Sequence, residues 1–165
     1  MTPQNGRDFS AWQDEAKLAF AFLTRLPFRA AAAPEPGALA RAAWAFPLAG
    51  ILVGVTGGIA FSLSDRLGLP INAMALLAVA ATVLITGGLH EDGLADTADG
   101  LGGGAGRDEA LAIMRDSRSG AFGVLAMVFS VGLRVACLAA LPDARIAVSA
   151  LVAAHAETCC ASRNA

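Results

Sequence analysis

Residues 42–64, enclosed by Arg41 and Asp65, carry no formal charge over 23 positions, and Leu67 to Leu89 repeats that length. At 1.5 Å per residue a helical run of this length reaches about 34 Å, against roughly 30 Å of bilayer hydrocarbon. The two runs therefore read as membrane-spanning helices joined by a tight turn at Asp65-Arg66. Composition supports lipid as the solvent. The chain is 56% hydrophobic and 16% charged, where soluble domains carry roughly 25% charged residues. A small soluble domain also needs more polar surface than these 165 residues provide. The same numbers exclude intrinsic disorder. A net charge of −2 and the lack of a basic patch disfavour nucleic acid as a partner.

The remaining segments fit the same class. From Phe9 to Leu26 apolar residues recur at helical spacing, interrupted by Lys17 and Arg25. This predicts an amphipathic helix in the interface, with Trp12 near the headgroups and Pro27 as its stop. Arg29 to Pro36 reads as an Ala/Pro linker. Within the first run Gly50, Gly54 and Gly58 recur every four residues, a small-residue face for close helix packing. Ser119 to Pro142 is a third candidate span with one charge, Arg134. An arginine near mid-span costs roughly 2.5–3.5 kcal/mol on insertion scales, so it should face the bundle or snorkel, in a structural pair or against an anionic ligand. A fourth apolar run, Ile146 to Ala156, has only 11 residues and is too short to span. Cys137, Cys159 and Cys160 lack metal-ligand spacing and read as incidental thiols. Arg7, Lys17, Arg25, Arg29 and Arg41 precede the first span, and Arg107, Arg115 and Arg118 follow the second. The first and third loops hold only Arg66 and Arg145. This alternation places the N-terminus and the segment 90–118 in the cytoplasm.

Segment 90–118 holds seven acids and three arginines, and eight of the 18 glycines fall between Gly87 and Gly106. On a helix Asp92, Asp96 and Asp99 share an arc of roughly 60°. Three carboxylates so placed repel, and a divalent cation resolves the conflict. Hard oxygen ligands suit Mg²⁺ or Mn²⁺, and Mg²⁺ commonly shares its shell with substrate phosphates. His90 and Glu91 point away from the arc. His90 reads as a general base or as an interfacial residue, and Glu91 could reach a second metal if the helix begins after Gly93. The glycines from Gly100 to Gly106 end the helix, and a short helix follows from about Arg107 to Asp116. Arg115 and Arg118 can point together at phosphate oxygens, Ser117 and Ser119 add neutral hydrogen bonds, and Asp116 can complete the metal shell. Metal-assisted phosphoryl or phosphodiester transfer fits this set.

Four stretches appear in order: FLTRLP (Phe22 to Pro27), FPLAGILVG (Phe46 to Gly54), GGLHEDGLADTADG (Gly87 to Gly100) and MRDSRSGAFG (Met114 to Gly123). Together they resemble the cobalamin synthases, also called adenosylcobinamide-GDP ribazoletransferases, from about residue 9 to residue 155. The resemblance implies a Mg²⁺-dependent membrane enzyme that joins adenosylcobinamide-GDP to α-ribazole or its 5′-phosphate, releasing GMP. It places Mg²⁺ on Asp92, Asp96 and Asp99 against the pyrophosphate, with Asp116 as a further ligand or as a partner of the ligands, and Arg115 and Arg118 on phosphate charge. Members of that family continue for several more spans, which Ala156 to Ala165 does not resemble, so the chain reads as C-terminally truncated.

The expectation is an all-α polytopic membrane protein, with an N-terminal interfacial helix and three to four transmembrane helices. Residues 1–165 would form one partial transferase domain with an acidic cytoplasmic loop at 90–118. Its place would be the bacterial inner membrane, with the oligomeric state open. The competing readings are a CDP-alcohol-type headgroup transferase, a divalent-cation carrier and an inactive fragment. A carrier would hold its acids in mid-span on broken helices, whereas here they begin after a complete apolar run.

Overall fold

The computed structural model describes residues 9–28, 35–116 and 118–161. Eight α-helices follow one another, and no strand occurs among the described residues. They are α1 (Phe9–Leu23), α2 (Ala38–Ala42), α3 (Phe46–Arg66), α4 (Ile71–Thr86), α5 (Leu89–Gly103), α6 (Arg107–Met114), α7 (Ala121–Ala139) and α8 (Ala144–Ala161). A 3-10 turn, Ala43–Ala45, links α2 to α3. Arg7, Arg29, Ser117 and most of the Ala/Pro linker lie outside the described residues.

α1 buries Ala19 and Leu23 against Ala42, Ala45, Phe46 and Ala49. Trp12 packs on Trp44 with ring centroids 4.8 Å apart, and the Trp44 indole N–H donates to Glu15 at 2.8 Å. The helix stops at Leu23, three residues before the expected Leu26. Thr24 turns its hydroxyl back onto the Phe20 carbonyl, and the Arg25 N–H leaves the helix for the Ile85 carbonyl of α4 at 2.8 Å. The chain end of α1 is thereby fixed to the end of α4.

Among the described residues two spans are long and apolar enough to cross a bilayer: Ala38–Arg66, taking α2, the turn and α3 together, and Ala121–Ala139. The uncharged run from Leu67 to Leu89 does not form one straight helix. α4 covers 16 of its residues, about 24 Å, and meets α5 at an angle of 89°. Gly87 and Gly88 make the break, with φ of +71° and +77°. Two consecutive left-handed residues are tolerated at low cost only by glycine. If the bent pair is one span, the count is three. The protein is a polytopic helical membrane protein, and the outer face of α7 shows why. Val128, Phe129 and Leu133 are 61–72% exposed, an apolar face that water would not tolerate.

A second core joins α3, α4, α7 and α8 through Phe61, Ala78, Val79, Leu138, Ala147 and Leu151. The glycine face of α3 meets α8, the helix that carries the short fourth run. A Cβ at Gly54 would stand 2.6 Å from the Val152 Cα and 2.7 Å from the Leu151 carbonyl oxygen. Backbone therefore lies against backbone, and α8 cannot retreat by a rotamer change. Gly54→Val is expected to cost at least the roughly 1–3 kcal/mol of an overpacked core. It should lower the melting temperature in detergent, while Gly132→Ala, which meets open space on α7, should not lower it. Equal melting temperatures for Gly54→Val and the parent would show that α3 and α8 do not pack this way.

Candidate active site

The acidic segment is a helix laid along a span. Near its start, Glu91 accepts a 2.7 Å hydrogen bond from the Arg134 guanidinium, deep in α7. Near its other end, Asp99 accepts the Gly120 N–H at 2.6 Å and the Gly123 N–H at 2.8 Å, at the beginning of α7. α5 therefore runs antiparallel to α7. The segment expected as a loop at 90–118 instead begins as helix α5, packed against the bundle.

The three aspartates on one arc have different surroundings. Asp92 is exposed and Asp96 is half-buried, and neither carboxylate has a hydrogen bond or ion pair among the described residues. They are four residues apart on one helix, which sets their Cβ atoms roughly 5–6 Å apart. Asp99 is 7% exposed, and both its oxygens are taken by the N-terminus of α7, where N–H groups have no helical partner. A Cβ at Gly123 would collide with this carboxylate, which accounts for the glycine. The glycines that follow serve packing. Gly100 lies against Met114, and a Cβ at Gly104 would stand 2.7 Å from the Ala110 nitrogen. This draws α6 onto α5.

Beyond α6, Asp116 and Arg118 form a two-point pair, at 2.7 Å for the closest contact. The hydrogen bonds from Arg118 hold the Asp116 carboxyl below its ordinary range, and Asp116 in turn raises the Arg118 guanidinium. Arg115 is exposed and makes no ion pair among the described residues. Ser117 lies outside the described residues. Among the described residues no three His, Cys, Asp or Glu side chains converge closely enough to hold a metal ion. The four carboxylates expected in one shell, Asp92, Asp96, Asp99 and Asp116, thus stand as a free pair, a helix cap and a partner of Arg118.

Two concavities flank the start of α5. A cleft of about 570 Å³ is lined by Asp92 and Glu91, by Phe22, Thr24 and Arg25 from the end of α1, and by the Gly87-Gly88 break. On the other side a groove of about 260 Å³ is lined by His90, Glu91, Arg134 and His155. His90 therefore faces the groove and is not among the residues of the Asp92 cleft. Because α5 already begins at Leu89, Glu91 is in its first turn and turns to Arg134, away from any second metal. Sequence reasoning missed Arg25, whose signal was its place in FLTRLP rather than any pairing with the acids.

These helices and this site define a membrane protein with two carboxylates one turn apart, Asp92 and Asp96, that have no partner among the described residues, the first of them in a cleft at a break between helices. Residues 15–163 match the family described as cobalamin-5-phosphate synthase (CobS), and the chain belongs to that family. Three curated relatives are each named adenosylcobinamide-GDP ribazoletransferase. The protein of Bradyrhizobium diazoefficiens is 52% identical over 149 residues, covering 90% of this chain and 56% of the relative. That of Mesorhizobium japonicum is 50% identical over 145 residues, covering 88% and 56%. That of Ralstonia nicotianae is 46% identical over 144 residues, covering 86% and 55%. The chain spans about half the length of these relatives. No solved structure matches it.

Proposed function

We propose that the chain carries the metal- and phosphate-binding half of an adenosylcobinamide-GDP ribazoletransferase. Such an enzyme transfers the adenosylcobinamide phosphate group to α-ribazole or its 5′-phosphate and releases GMP. The observation that carries this reading is the pair Asp92 and Asp96, without a partner among the described residues and one turn apart on α5, with Asp92 lining the cleft. Two carboxylates are what Mg²⁺ ordinarily takes from a protein when substrate phosphates complete its shell, so the residues present fit that ion. Bound there, Mg²⁺ would supply Lewis-acid stabilisation of the charge on the diphosphate.

The chain's own residues do the rest. Asp99, by capping α7, fixes the rotation of α5 and so the direction in which Asp92 and Asp96 point. Arg115 is available to a phosphate oxygen, whereas Arg118 reaches one only by leaving Asp116. A carboxylate of the Asp92 and Asp96 pair accepts the proton of the attacking α-ribazole hydroxyl as the hydroxyl oxygen bonds to phosphorus and the GMP oxygen leaves. His90, across α5, is less well placed for that proton. The basic residues around the N-terminus and α6 favour the cytoplasmic side of a bacterial inner membrane for the site.

The 89° break between α4 and α5 is the one observation that favours a divalent-cation carrier, since carriers bind ions at broken helices. One assay separates the two. Purified protein in lipid, given adenosylcobinamide-GDP, α-ribazole and Mg²⁺, is expected to release GMP in step with adenosylcobalamin, and excess EDTA should stop both. Mg²⁺ flux without GMP, or CMP released from a CDP-alcohol instead, would overturn the proposal.

A further inference from the structure

Arg25 combines a fixed position with a charge that has no ion-pair partner among the described residues. Its N–H is bound to the Ile85 carbonyl at 2.8 Å, so its backbone cannot drift from the end of α4. Its side chain lies across Gly87, where a Cβ would collide with the guanidinium Nε. Gly87 is thus glycine for two reasons, its φ of +71° and the arginine laid over it. Asp92 and Glu91 line the same cleft, yet Arg25 makes no ion pair with either among the described residues. Glu91 is engaged by Arg134 at 2.7 Å, and Asp92 has no partner among the described residues. A cation and a carboxylate that share a cleft without closing on each other leave room for a ligand carrying both a phosphate and a metal. The cleft's volume of about 570 Å³ lies within the usual range for small-ligand sites. Of the two arginines that the sequence motif points to, Arg118 is already paired with Asp116, and Arg115, exposed beyond α6, is not among the residues that line this cleft.

We propose that Arg25 is the phosphate-binding cation of the Asp92 cleft, taking oxygens of a nucleoside diphosphate ester whose other phosphate oxygens face Asp92 and Asp96. The guanidinium presents a planar fork that matches two phosphate oxygens, and its anchoring on Gly87 removes much of the ordering cost of binding. The proposal rests on the reading of Asp92 and Asp96 given above and adds the residue opposite them. A lipid headgroup phosphate offers the same chemistry, so the test must separate the two sources.

The test is GDP binding to purified protein in non-ionic detergent with Mg²⁺, by calorimetry, repeated with phosphatidylglycerol added. Arg25→Met keeps the stem over Gly87 and the backbone hydrogen bond, and should weaken GDP binding at least about tenfold. Its melting temperature should match the parent's, Arg25→Lys should recover part of the loss, and phosphatidylglycerol should compete weakly. Unchanged GDP affinity in Arg25→Met, with Asp92→Asn weakened, overturns the role of Arg25 and leaves the Asp92 site standing. Loss of phosphatidylglycerol binding with GDP binding intact makes Arg25 a headgroup anchor and also overturns it. GDP binding that needs neither Mg²⁺ nor Asp92 removes the underlying reading and the proposal with it.

Discussion

Asp92→Asn and Asp96→Asn are each expected to lower GMP release by about 10²–10³-fold, the scale on which one preorganised electrostatic element acts. Both should leave the melting temperature in detergent where it was. Asparagine keeps the shape of either side chain, and neither carboxylate has a protein partner to lose among the described residues. Asp99→Asn should behave differently. Its two oxygens accept from Gly120 and Gly123, and an asparagine presents an NH₂ where one of those N–H groups needs an acceptor. Losing a helix cap costs roughly 0.5–2 kcal/mol, and this one is buried, so Asp99→Asn should unfold earlier as well as turn over more slowly. Paired melting and turnover measurements on the three variants separate the roles. Turnover lost only in Asp99→Asn, with Asp92→Asn and Asp96→Asn fully active, would make the cap the ligand and undo the assignment.

That contrast marks where reading the sequence succeeds and where it stops. The helical arc of Asp92, Asp96 and Asp99 follows from spacing alone, and α5 is indeed helical across all three. Spacing does not say what lies against the arc, and the N-terminus of α7 takes its last member. The Gly50, Gly54, Gly58 face was legible as a packing surface, but its partner was not. The run Ile146 to Ala156 is too short to span, yet α8, which contains it, is the helix laid on that face. The run from Leu67 to Leu89 concealed a break because uncharged residues look alike to a hydropathy window. The signal was there as Gly87-Gly88, two adjacent residues able to take positive φ. That break also removes the sequence-level argument against a carrier, since the acids follow a bent helix and not a complete span. For Arg134 the sequence leaves open a bundle-facing or a snorkelling side chain, and the structure turns it to Glu91 of α5. Its partner could not be named, because Glu91 comes from a helix whose direction depends on the break.

Arg134→Met is expected to destabilise the bundle by about 3–5 kcal/mol, the cost of leaving a buried charge without its counter-ion. Glu91 is only 12% exposed at its side chain, and its Oε2 is already buried without a hydrogen-bond partner among the described residues. Removing Arg134 would orphan the other oxygen as well. The pair is also the contact that holds the start of α5 on α7, so its loss should free the first turn, which carries Asp92. Thermal unfolding in detergent should show the drop, and hydrogen exchange should rise from Leu89 to Gly93 more than around Asp99, where the cap remains. The double variant Glu91→Gln/Arg134→Met removes both charges and should regain most of the stability, because replacing a whole buried pair is often neutral. A double-mutant cycle reads the coupling directly. If Arg134→Met alone melts with the parent, or if the double variant melts below it, the pair does not pin α5 and the antiparallel seating of the acidic helix on α7 is wrong. If the cycle closes as expected, the mid-span arginine is accounted for by the helix it holds, and the carboxylates beside the cleft owe their position to a contact on the opposite side of α5.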